Sequence, residues 1–125
     1  MTKKFRIPGH GIKDIVRGFG ACMASDRITV DGMKVRWMYR EAPDHDVDSG
    51  WHFFAGDETE EYANDPDNFA IYEVNTIANY DPTITAVLDT QAPCAFEWDE
   101  STQRFIPAPP PDPEAEEAKF LAGRH

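Results

Sequence analysis

Between Ser49 and Glu58 the chain reads SGWHFFAGDE, with a nearly apolar run from Trp51 to Ala55 shut in by Gly50 and Gly56. A short aromatic run bounded by glycines predicts a β-strand, entered from a polar loop that Ser49-Gly50 closes. Along a strand Trp51 and Phe53 point to one face, His52 and Phe54 to the other. Both faces then want cover, which predicts a central strand.

The elements around it are short. Phe19 to Ser25, FGACMAS, reads as a buried strand after a single helical turn suggested by Ile12, Ile15 and Val16. Ile28-Thr29-Val30 followed by Asp31-Gly32 reads as a hairpin. Met33 to Glu41 alternates: Met33, Val35, Trp37 and Tyr39 form an apolar face, and Lys34, Arg36, Met38 and Arg40 a mainly basic one. The basic face is expected in solvent or beside acids of neighbouring strands. Asp57, three residues before Glu60, predicts a capped helix over 58–63. A short strand at 69–72, a helix at 73–79 and another helix opened by Asp81-Pro82 follow. PCAFEW (93–98) and 103–106 close the series as strands.

The resulting expectation is an α+β fold in one domain, a mostly antiparallel sheet of five or six strands with two or three short helices. Trp37, Trp51, Phe53, Phe96 and Trp98 are the expected core. Residues 1–18 form an N-terminal segment and 19–106 the globular domain. The proline-rich acidic stretch 107–125 is expected to be disordered, since only Phe120 and Leu121 offer burial.

Charge is distributed very unevenly. Residues 1–40 hold nine Lys/Arg and three Asp, whereas 41–103 hold sixteen Asp/Glu and not one Lys or Arg. Such a region opposes direct binding to nucleic acid or an anionic membrane and permits attraction to a basic protein. Its acids can equally serve solubility alone. The first residues show no signal peptide, and no apolar run reaches the ~18 residues of a membrane span. The expected compartment is the cytoplasm. Cys22 and Cys94, without a CxxC, read as two buried free thiols.

Local motifs specify no reaction. Asp44, Asp46 and Asp48 begin like a calcium loop, but its sixth and twelfth positions hold Ser49 and Ala55 in place of glycine and glutamate. His10, His45, His52 and His125 lack zinc spacing. Asp57 and Glu58 could pair as acid and base, but their spacing fits a helix start better. No glycine-rich loop is present to cradle a nucleotide. No metal and no cofactor is expected.

Four stretches in order, ACMASDRITVDG (21–32), VRWMYREAPD (35–44), DSGWHFFAGDE (48–58) and IYEVNTIANYDP (71–82), carry a resemblance over roughly residues 19–100. The chain resembles a bacterial family first described as a domain of unknown function and grouped as the thirty-third family of immunity proteins of polymorphic toxin systems. The resemblance implies a small cytoplasmic protein that binds a toxin domain and blocks it, and it carries over no catalytic or ligand residue. An immunity-type binder without catalysis is therefore the leading expectation. Its partner would be a protein, such as a basic toxin domain, met through Asp44, Asp46, Asp48, Asp57, Glu58, Glu60 and Glu61. A small-molecule-binding or regulatory domain, with a pocket near His52, is the alternative. The sequence leaves the oligomeric state open.

Overall fold

Trp51 and Phe53 lie in the third of six strands, 1% and 0% exposed, and that strand is internal to the sheet. The computed structural model describes residues 3–42 and 47–110. Its strands are β1 (Ala21–Ser25), β2 (Trp37–Arg40), β3 (Asp48–Phe54), β4 (Phe69–Glu73), β5 (Cys94–Asp99) and β6 (Arg104–Ala108). They form one sheet in the order β4-β1-β3-β2-β5-β6. Only β1 and β3 run parallel; the other neighbours are antiparallel. Helices α1 (Asp26–Thr29), α2 (Glu60–Ala63) and α3 (Val74–Tyr80) complete an α+β domain, with 3-10 turns at Gly9–Gly11, Pro66–Asn68 and Pro82–Ala86.

The core lies on one side of the sheet. Cys22, Ala24, Met38, Phe53, Trp51 and Phe96 project from the strands, and Ile28 of α1, Val74 and Ile77 of α3, Ile84 and Leu88 close over them. The indole of Trp51 donates to the Leu88 carbonyl at 3.2 Å, so its one polar group is satisfied in the interior. Small side chains on β1 let α1 and α3 sit against it. The chain before β1 is strapped to α3 by two asparagines. Asn75 Oδ1 accepts from the Ile15 and Val16 amides at 2.7 and 3.0 Å, and Asn79 Oδ1 accepts from Lys13 N at 2.9 Å. These bonds hold Ile15 and Val16 in place, and the helical turn expected from Ile12, Ile15 and Val16 is not formed; among the segment's described residues the one helical turn is the 3-10 turn at Gly9–Gly11.

Ser49-Gly50 is part of β3 rather than the end of a loop. Asp48 Oδ1 accepts from Gly50 N at 3.0 Å, and Ser49 Oγ accepts from Trp51 N and donates to the Ala21 carbonyl. Gly50 takes φ +82°, and a Cβ there would lie 2.0 Å from the Glu41 carbonyl oxygen. The D-S-G sequence thus builds the bulge that shifts the β1–β3 register.

The expected hairpin at 26–32 is a helix. Ser25 Oγ accepts from Arg27 N at 3.1 Å as its N-cap, and Asp31-Gly32 ends it, with Gly32 at φ +78°. A helix this short shows no periodicity, so the β-branched run misled. The expected strand over 33–41 shrinks to Trp37–Arg40, because Val35 N is bonded to Asp81 Oδ2 and Lys34 Nζ to the Tyr80 carbonyl. Its faces are also reversed. Met38 is fully buried, and Arg40 points inward beside it, its guanidinium over the Trp51 ring and bonded to the Ser49 and Thr90 carbonyls. Trp37 and Tyr39 occupy the other side, so Trp37 is half-buried outside the core. Trp98 is half-buried too but packs on the core, edge-on to Phe105 and under Arg36.

Candidate interaction face

The face of the sheet opposite the core is aromatic at its centre. Trp37 pairs with Phe54 and Tyr39 with His52 across β2 and β3, and directly opposed residues share a face. Tyr39 stacks on His52 with ring centroids 4.5 Å apart and on Phe54 at 5.9 Å. Phe54 meets Phe69 edge-on at 5.8 Å, and Phe69 meets Tyr62 of α2 at 6.1 Å. Register carries the face outward through Met23 and Ile71, the latter 65% exposed, and on the other side through Ala95 and Ile106. None of the central rings belongs to the buried core cluster. Where the face meets α2, a cleft of about 640 Å³ opens, lined by Arg36, Trp37, Phe54, Glu58, Glu97 and Trp98 among others. A second cleft of about 550 Å³ lies between the N-terminal segment and β4, lined by Arg17, Phe19, Val47, Glu73 and Asn75 among others.

Of the acids singled out in the sequence, those among the described residues are not gathered into one patch. Asp44 and Asp46 lie outside the described residues. Asp48 stands at the start of β3 and Asp57 just beyond its end, separated by a strand of roughly 20 Å. Asp57 does not cap α2. It pairs with Arg27, whose Nη2 and Nε donate to its carboxylate at 2.5 and 3.2 Å. That guanidinium holds the Asp57 carboxyl below the usual carboxylate range. Glu58 accepts from the Ala55 and Gly56 amides at 2.8 and 2.9 Å, closing the turn after β3. The cap of α2 is Thr59, whose hydroxyl accepts from Tyr62 N at 3.1 Å. Glu60 and Glu61 are exposed in its first turn.

The remaining reactive groups are subdued. Cys22 is buried, and desolvation pushes its thiol far above the ordinary range; half-buried Cys94 is also raised by burial. His52 Nε2 lies 3.5 Å from Glu41 Oε2. Among the described residues no three His, Cys, Asp or Glu side chains gather as a metal site, and no helix is long and apolar enough to cross a membrane. The aromatic face was only half legible in the sequence. Alternation at 51–54 already placed His52 and Phe54 on a second apolar face, but the reversed faces of β2 hid Trp37 and Tyr39 beside them.

Among known families, the model described as the Immunity protein Imm33 domain matches residues 22–107. The match begins one residue into β1 and ends one residue before the last of β6, so it takes in nearly the whole sheet and all three α-helices. No curated protein and no solved structure matches the chain.

Proposed function

We propose that this chain, which belongs to the Imm33 family of immunity proteins, is a cytoplasmic binding protein that occupies a toxin domain and blocks it, with no catalysis of its own. The observation that carries the reading is the family match across the sheet. Charge supports it: a toxin that attacks nucleic acid needs a basic surface to hold phosphates, and the region without Lys or Arg would be drawn to such a surface. Glu60 and Glu61, exposed in the first turn of α2, with Asp44, Asp46 and Asp48, remain the acids for that encounter; Asp48 also holds the Gly50 amide, and Asp57 and Glu58 are engaged within the fold.

Co-expression with a candidate toxin domain drawn from the neighbouring genes tests the reading. Growth should be restored and the two proteins should co-purify. Association should slow steeply with added salt while dissociation changes little. Growth arrest that the chain does not relieve would overturn the proposal. The cleft beside Trp37, Phe54 and Trp98 favours a second reading, a small-molecule-binding or regulatory domain. A saturable rise in melting temperature with a metabolite, in a chain that binds no toxin, would support that alternative.

A further inference from the structure

We infer that the partner docks on the aromatic face of the sheet through an arginine- or lysine-bearing segment; this rests on the immunity reading and names the surface and the partner chemistry. The inference starts from how strand alternation sorts charge. Arg40 of β2 projects to the core side and is occupied there by carbonyls and the Trp51 ring. Arg36, just before β2, is stacked on Trp98, bonded to its neighbour's carbonyl and 3.8 Å from buried Asp81. The aromatic side keeps the acids instead. Glu97 is paired across from Trp37, Glu73 shares its face with Met23 and Ile71, and Glu41 lies beside His52. Neither Glu73 nor Glu97 enters an ion pair among the described residues. Among the described residues, bases reach this face only at its margins: Arg104 opposes Asp99 at the β6 edge, and Arg36 lines the cleft by Trp37 and Glu97 while stacked on Trp98.

Half-buried rings flanked by carboxylates match a guanidinium in two ways. Its plane stacks on Trp37 or Tyr39, and its N–H fork pairs with Glu41 or Glu97 at the margin. The other occupants fit less well. A second copy would bring the same acids against themselves. Residues 111–125 carry four acids against one lysine and one arginine.

The test titrates the full chain, labelled for NMR, with a short synthetic peptide of alternating arginine and valine, and with its glutamate counterpart. Expected are salt-sensitive shifts at Trp37, Tyr39, His52, Phe54 and Glu97 with the arginine peptide and none there with the glutamate peptide. Glu97→Lys with Glu41→Lys, both at exposed positions, should weaken arginine-peptide binding at least about tenfold with the spectrum otherwise folded. Shifts confined to Glu60 and Glu61, shifts spread over every acid, or charge reversal without effect would overturn the inference. So would contacts of residues 111–125 with these rings in the free chain. A toxin domain neutralised equally by the wild type and by the double reversal would leave the immunity reading standing and remove this surface. A toxin domain that the wild type cannot neutralise would remove both.

Discussion

Asp81 is a side chain whose loss the fold should feel sharply. It is 2% exposed, accepts from Thr83 N and Oγ1 through one oxygen and from Val35 N through the other, and so ties the chain before β2 to the turn after α3. Asp81→Ala strands these donors and should cost about 2–3 kcal/mol, read as a lower urea midpoint with an unchanged slope. Asp57 offers a contrast. It is well exposed, and its pairing with Arg27 matters through pH. Because Arg27 depresses its folded pKa, the stabilisation is present above the unfolded value near ~3.9 and is lost as pH falls through the folded one. Asp57→Asn should therefore make the loss of stability below about pH 4 shallower, in an acid titration followed by circular dichroism. At neutral pH the variant should unfold only slightly earlier, since exposed pairs contribute little.

Helix α2 depends on Thr59. Thr59→Ala should lower stability by about 1 kcal/mol in thermal melts, while Asp57→Ala should leave the helix content unchanged. The sequence placed a helix here but chose the wrong cap, because Asp57 and Thr59 both carry a capping oxygen and the pairing with Arg27 comes from thirty residues away. The same limit recurs in other elements. Short-range chemistry made β4, α3 and the Asp81-Pro82 turn legible, since caps and spacing act within a few residues. The faces of β2 were not legible. A charged side chain reads as outward until carbonyls and a tryptophan ring from β3 and the loop after the 3-10 turn surround it, and those partners are remote in sequence. Gly50 shows a third case: D-S-G reads equally as a loop or a bulge until the Glu41 carbonyl closes in on it.

For the whole molecule, Trp51 links the two layers. Trp51→Ala should cost about 3–5 kcal/mol in chemical denaturation, because it opens a cavity under Leu88 and Ile84 that strands and helices fill only by moving together. The sheet order carries a further consequence, for synthesis. Strand β1 is made first among the strands, yet its two partners are β3 and β4, and the latter ends 48 residues after Ser25. At bacterial and eukaryotic elongation rates that interval lasts roughly 2–10 s; the edge of β1 that takes β4 is bare throughout it, and the other edge until β3 is complete, 29 residues after Ser25. The strand that must wait is ACMAS, with no aromatic and no β-branched residue. Such a sequence has little propensity to pair with a stranger. The bulky, sticky strand β3, by contrast, emerges after β2, an antiparallel partner already waiting for it.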